Sequence, residues 1–283
     1  AMSITNTNPL QRNPQRVARS FSMAAQRYDT VAGLQRQVAD QLLAMDFCSR
    51  HGAVLELGCG TGYVTWQLAQ ESAIERIWAL DIAPGMVNYA RHRRAHDKIH
   101  WLVADAHHLP YVTGSMEVVG SSLTLQWCED LPRICAEVAR VLKAEGCLQF
   151  ATLGVDTLWE LRQAWSMVDD HQHINDFLPL DRLQTALQPH FGRLRWVNDR
   201  IVLHYAQLTE LTRQLKLLGA GNHNRAAAPG LMGRTRLLRL QQAYESLRDR
   251  QGRLPATYDV FYLQASEPRN RVGPVRSSLA YLG

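Results

Sequence analysis

Val54-Leu55-Glu56-Leu57-Gly58-Cys59-Gly60-Thr61-Gly62 decides the fold of this chain of 283 residues. An apolar run ends in three glycines at alternate positions and passes into 63–70, whose side chains suit a helix. Glycine enters the left-handed backbone region freely and lets a ligand approach the main chain with no Cβ in the way. A strand, a glycine-rich turn and a helix in that order make a nucleotide-type cradle. On either side of it, short apolar runs alternate with helical stretches. The runs 53–57, 76–80, 99–103, 117–121 and 147–153 read as strands, and 63–70, 85–94 and 131–142 as helices. This alternation specifies a doubly wound α/β domain with a mostly parallel sheet covered on both faces. Two later runs, 194–205 and 256–264, bring the strand candidates to seven.

The turn also discriminates between ligands. The dinucleotide fingerprint G-x-G-x-x-G needs a glycine where this chain has Tyr63, because the third glycine stands one position early. Glu56 precedes the turn, where an acid repels a pyrophosphate and suits the ammonium of a methionine moiety. Asp81 ends the second strand and Asp105 follows the third. Ligands of open α/β sheets bind at these strand ends, so Asp81 can accept from ribose hydroxyls and Asp105 from an adenine amino group. The pattern favours S-adenosylmethionine over a nicotinamide dinucleotide.

Residues 1–15 carry no periodicity and are expected to be a disordered N-terminus, as is the tail 266–283. Between them, 16–265 reads as a single domain with its core at 50–155. Helical spacing at Val31, Leu34, Val38, Leu42 and Met45 predicts amphipathic helices before the first strand. Helices at 157–168 and 181–187 predict a lid insertion over about 156–190, and further helices are expected at 210–218 and 236–248. Hydrophobic residues at 46% and charged residues at 20% are those of a folded globular chain. No apolar run approaches the roughly 18 residues of a membrane span, and no secretion signal opens the chain, so a cytoplasmic protein without a membrane partner is expected. The five cysteines show no C-x-x-C spacing and read as reduced thiols. His107, His108, His171, His173 and His223 form no metal-ligand motif and read as solvated or structural, with no metal site expected.

The motifs ELGCGTG (56–62), ALDIAP (79–84), VADAHHLP (103–110) and VVGSS (118–122) resemble those of class I S-adenosylmethionine-dependent methyltransferases, with a Rossmann-like sheet of seven strands. Arg27-Tyr28-Asp29, Gln126-Trp127-Cys128, Phe177-Leu178-Pro179, the run LKLLGA (215–220) and GRLPATY (252–258) extend the resemblance. In this order they are similar to the malonyl-acyl-carrier-protein O-methyltransferases of biotin synthesis, from about 17 to 264. The resemblance implies that Glu56, Gly58, Gly60, Gly62, Asp81, Ile82, Met86, Asp105, Ala106 and Ser122 bind S-adenosylmethionine, and that Tyr28 and Trp127 flank the methyl acceptor. It also implies methyl transfer to the free carboxylate of malonyl on acyl carrier protein, giving the ester that primes pimeloyl synthesis. A carboxylate needs a clamp, for which Arg162 and Arg225 are both candidates. Arg225 stands earlier in its loop than the family's arginine.

Charge is concentrated near the end of the chain. Between Arg213 and Arg253 nine basic residues face two acidic ones, a balance of +7 against +5 for the whole chain. Such a patch suits an acidic carrier protein, with Arg213, Lys216, Arg234, Arg236 and Arg239 as docking residues. A monomer without a nucleic-acid partner is expected. The core motifs serve equally a methyltransferase for small molecules or polyketides, or a non-catalytic cofactor-binding partner. A basic surface also suits an RNA methyltransferase, a second alternative, although there is no appended RNA-binding module and no Asn-Pro-Pro-Tyr-type motif for a flipped base.

Overall fold

The computed structural model describes residues 13–46, 48–218 and 234–269, with Arg234 described by its backbone alone. Seven strands form one sheet: β1 (Gly52–Leu57), β2 (Ile74–Asp81), β3 (Ile99–Val103), β4 (Met116–Ser122), β5 (Leu142–Leu153), β6 (Phe191–Tyr205) and β7 (Leu254–Pro268). Their order across the sheet is β3-β2-β1-β4-β5-β7-β6. The first five are parallel, and β7 runs antiparallel to both β5 and β6. The order reverses between β1 and β4, and a ligand crevice opens outside the carboxyl ends of the strands at such a switch point. The doubly wound sheet read from the sequence is therefore the observed one.

Helices cover both faces. On one, Leu55, Leu57, Val119 and Phe150 pack against Ile134, Val138 and Val141 of α5 (Leu131–Val141). On the other, Val54, Ile77 and Val118 pack with Val64 and Leu68 of α3 (Tyr63–Ala69) and Val87 of α4 (Pro84–Arg93). The strand period of two explains the division, since Val54 and Leu55 point to opposite faces. Ahead of β1 lie α1 (Pro14–Val31) and α2 (Gly33–Ala44). Asn13 caps α1, its side-chain oxygen accepting the Arg16 N–H at 3.2 Å. After β5 come α6 (Trp159–Ser166), α7 (Leu180–Leu187), α8 (Leu208–Leu217) and α9 (Arg234–Glu245).

Three differences from the sequence reading have physical causes. Helix α1 starts at Pro14 and β7 runs to Pro268, so ordered structure passes both expected boundaries. Strand β5 begins at Leu142, five residues early, through exposed Lys143, Ala144 and Glu145 that carry no apolar signal. The expected lid divides in two. Leu183, Ala186 and Leu187 of α7 are buried in the core with α5, whereas α6 and the segment after it flank a cavity.

Cys48 and Cys147 form a disulfide with Cα atoms 6.1 Å apart, which corrects the reading of five reduced thiols. Among the described residues Cys59, Cys128 and Cys135 take no part in a disulfide. The pair is 99 residues apart in sequence, so no spacing rule reveals it. Helix α2 makes the meeting possible, crossing the sheet so that the Leu42 carbonyl accepts the Gln149 Nε2–H of β5 at 2.5 Å. Replacing both cysteines by serine should lower stability by about 2–4 kcal/mol in denaturant titrations. Equal stability of the variant and the non-reduced wild type would remove the bond.

Candidate functional site

The cradle is built from backbone and one carboxylate. The Gly58 and Cys59 N–H groups both donate to the Leu80 carbonyl, at 2.7 and 2.9 Å, which ties the turn to the end of β2. The buried Asp81 carboxylate then accepts the Gly60 N–H at 2.9 Å through Oδ2 and the Ala83 N–H at 2.8 Å through Oδ1. Burial raises its pKa from the ordinary value, opposed by the amides of Ala83, Gly60 and Ile82. Gly60 has φ +53° and a Cβ there would meet no protein atom within 4 Å, so the position opens on empty cleft. Gly58 and Gly62 differ, because an added Cβ would strike Thr124 and Trp101 respectively.

One cleft is lined by Tyr28, Gly58, Gly60, Asp81, Ile82, Met86, Asp105, Ala106, Ser122 and Trp127. These are ten of the twelve residues expected to bind cofactor or flank the acceptor. Glu56 lines a continuation of the cleft beyond Tyr28, Gly58 and Gly60, together with Gln35 and Cys59. Gly62 is not in the lining of either space; it allows close packing against Trp101, Arg94 and Ala90. Asp105 accepts the His107 N–H at 2.9 Å and contacts the His107 imidazole at 2.6 Å. Burial raises its pKa, but those contacts outweigh it and leave it low. Gln35 Oε1 is buried with no hydrogen-bond partner among the described residues, an acceptor awaiting a donor.

A second, mainly apolar cavity adjoins the first and shares Phe21, Tyr28, Leu123 and Trp127 with it. Phe21 and Trp127 meet edge to face, ring centroids 5.4 Å apart. Burial, with Asp81 and Asp29 nearby, pushes the Tyr28 hydroxyl pKa well up, so it stays a neutral donor. The remaining wall comes from Leu153, Leu158, Leu161, His173, Phe177 and Tyr258 among others. Leu123 and Leu158 have φ of 51° and 56°, a conformation costly for a branched side chain. Both line this cavity, and neither was visible in the sequence.

Helix α1 is fastened over the crevice. Thr61 Oγ1 donates to Asp29 at 2.6 Å, and Arg94 joins both, donating to the Thr61 carbonyl at 2.9 Å and pairing with Asp29 at 3.5 Å. Gly85 on α4 lets α1 pass closely, since a Cβ there would lie 2.6 Å from the Ser22 carbonyl.

The two clamp candidates stand elsewhere. Arg162 does not line the apolar cavity; it borders a separate depression, is 3.7 Å from Asp176, and is 43% exposed. Arg225 lies outside the described residues. Arg213, Lys216 and Arg239 are exposed, as a docking surface requires. Arg236 is not a free surface cation, because its Nε donates to Asp169 at 3.1 Å and it is 35% exposed. The side chain of Arg234 is outside the described residues. The sequence reading missed Phe21, Gln35 and His173, whose helical or loop positions carry no motif.

Residues 55–150 match the family described as "Methyltransferase domain". The biotin biosynthesis bifunctional protein BioHC of Cellvibrio japonicus is 44% identical over 259 residues, covering 89% of this chain and 50% of that protein. A second such protein, from Teredinibacter turnerae, is 39% identical with 48% of it covered. The chain thus spans about half the length of these relatives. The malonyl-acyl-carrier-protein O-methyltransferase of Serratia marcescens is 40% identical over 250 residues, covering 88% of this chain and 94% of that one. In fold the chain is similar to the YcgJ protein from Bacillus subtilis, with TM-score 0.56 and 14% identity over 81% of this chain and 97% of that one. Among the described residues no helix is long and apolar enough to cross a membrane, and no group of three or more metal-ligating side chains occurs.

Glu56 allows a direct test of the site's electrostatics. Burial raises its pKa to about 7, the Thr65 hydroxyl opposes this and Asp81 adds to it. The folded protein therefore holds this proton more tightly than the unfolded chain. Its contribution is fully present below the ordinary value of 4.5 and is lost as pH rises through about 7. The difference in unfolding free energy between wild type and Glu56→Gln should shift by up to roughly 3 kcal/mol across that window, against the wild type as pH rises. Parallel stability curves for the two proteins would show that Glu56 titrates normally.

Proposed function

The chain belongs to the malonyl-acyl-carrier-protein O-methyltransferase family, and we propose that it methylates the free carboxylate of malonyl carried as a thioester on acyl carrier protein. The ester formed then primes pimeloyl synthesis for biotin. The observation that carries this reading is the meeting of two cavities at Tyr28 and Trp127: one is lined by glycine backbone and by acids that include Asp81 and Asp105, the other is mostly apolar.

The first cavity fits S-adenosylmethionine. Each Asp81 oxygen already accepting an amide retains a second lone pair, which suits ribose hydroxyls. Asp105 would accept from the adenine amino group, and the open side of Gly60 leaves room for the ligand against the main chain. At the far end Glu56 and the partnerless Gln35 Oε1 suit an ammonium group. When bound, S-adenosylmethionine supplies a methyl group on a sulfonium sulfur.

The chain's own contribution is placement. A malonyl carboxylate is ionised at neutral pH and attacks without a general base. What remains is to hold the acceptor oxygen in line with the methyl and to keep water out, a proximity effect that can reach roughly 7–11 kcal/mol. Phe21, Tyr28 and Trp127 line both cavities, and their rings at the junction serve to keep water from the reacting groups. The second cavity takes the acyl group, and Gln214, Leu215 and Leu218 bring α8 to its wall. Exposed Arg213 and Lys216 lie on that same helix, where they can receive an acidic carrier.

Asp81→Ala should weaken S-adenosylmethionine binding by about 1–3 kcal/mol in titration calorimetry. Gly60→Val should weaken it further, since its side chain enters the cleft. Unchanged affinity in either folded variant contradicts the cofactor placement. For the carrier, the triple variant Arg213→Glu, Lys216→Glu, Arg239→Glu should raise KM for malonyl-acyl carrier protein and reduce its salt dependence, with little effect on a small malonyl thioester. Equal loss on both substrates would place these residues in the active site rather than on a docking surface.

A further inference from the structure

The acceptor cavity has a feature that its apolar character hides. Among the described residues that line it there is no lysine or arginine, although the acceptor read above is an anion. Among those described lining residues the side chain with ordinary access to a positive charge is His173, the same residue that the sequence assigns to structure or solvent.

His173 is held from two sides. Its Nε2 is 2.7 Å from Asp169 Oδ1, and its ring lies flat on Trp165, with centroids 3.5 Å apart and planes 13° from parallel. Asp169 is itself fixed by the Arg236 guanidinium from α9 and by the His171 N–H at 2.9 Å. Burial raises the Asp169 pKa, but these three partners hold it well below the ordinary carboxylate range, so it is an anion throughout the neutral range. An anionic acceptor on Nε2 and the Trp165 face beneath the ring together fix the ring's orientation. Nδ1 is then the nitrogen left over.

We infer that His173 holds the carboxylate of the acceptor, donating from Nδ1 into the cavity while Asp169 and Trp165 fix the imidazole from behind. This rests on the proposed carboxylate acceptor. Asp169 and Arg236 are positioning residues that act through His173. Other charged or titratable groups near the ring do not replace it. Arg162, Asp170, His171 and Asp176 border the depression on its outer side, while Tyr28 of α1 and Tyr258 of β7 line the cavity it shares. Helix α8 contributes Gln214 and Leu215 to that cavity and its C-cap contributes Leu218, none of them charged. Anion binding by an imidazolium weakens as pH rises through the imidazole range, which gives the site a pH signature that a fixed arginine lacks.

The test uses the full chain with S-adenosylmethionine and a malonyl N-acetylcysteamine thioester, between about pH 6 and about pH 8.5. For wild type, kcat/KM should fall as pH rises through the imidazole range. His173→Gln should raise KM by about tenfold or more near pH 6, leave kcat within about threefold, and flatten the pH profile. Asp169→Asn should move the profile in the same direction. As a check that needs no variant, imidazole NMR signals of wild type with S-adenosylhomocysteine should show His173 protonating at higher pH when the malonyl thioester is added. The corresponding methyl ester should leave them in place. A wild-type enzyme that methylates the malonyl thioester while His173→Gln keeps the same KM and pH profile overturns the role of His173 alone. A wild type that binds S-adenosylmethionine but methylates neither this thioester nor malonyl-acyl carrier protein overturns the acceptor reading and this inference together.

Discussion

A single buried carboxylate organises the crevice. Asp81 takes the Gly60 amide on one oxygen and the Ala83 amide on the other, so the turn after β1 and the turn after β2 are locked to each other across the sheet. Removing a charge from water costs free energy that only hydrogen bonds can recover, and here main-chain donors supply them. The glycine turn cannot relax without exposing those amides or burying the acid unpaired. Its left-handed residues are therefore held in the one geometry that leaves the cleft side of Gly60 open.

The remaining elements complete that frame. Helix α1 is outside the alternating core, yet the Thr61–Asp29–Arg94 contacts fasten it to the glycine turn and to α4 together. It thereby delivers Phe21 and Tyr28 to the junction between the cavities. On the opposite wall, α6 and the segment after it present Leu161, His173 and Phe177. The network Arg236–Asp169–His173 ties this segment to α9, linking part of the basic run to the inside of the acceptor cavity.

The core was legible because its physics is local. The apolar run at 54–57, glycines at alternate positions, and acids at strand ends are all visible within a few residues. The cleft-lining positions Gly58, Gly60, Asp81 and Asp105 follow from the same short-range pattern, whereas Ile82, Met86, Ala106 and Ser122 come from the family resemblance. What escaped depends on contacts between distant segments. Cys48 and Cys147 meet only because α2 crosses the sheet, α7 joins the core rather than the lid, and Leu123 and Leu158 take strained backbone that no composition reveals. Arg236 looked like a surface cation from charge counting, and its partner Asp169 stands 67 residues away. His173 acquires its setting from Asp169, four residues before it, and from Trp165 beneath it; the sequence showed the spacing but not the cavity on the other side.

The central claim is that the two cavities bring a methyl group and a malonyl carboxylate together. It is tested most directly by incubating the purified chain with S-adenosylmethionine bearing an isotopically labelled methyl group and malonyl-acyl carrier protein, then fragmenting the acyl group by mass spectrometry. The account predicts one labelled methyl on the terminal carboxylate, released by mild ester hydrolysis, and none on an acetyl carrier that lacks the carboxylate. Label on carbon, label on the acetyl control, or no transfer by a chain that binds S-adenosylmethionine would contradict it.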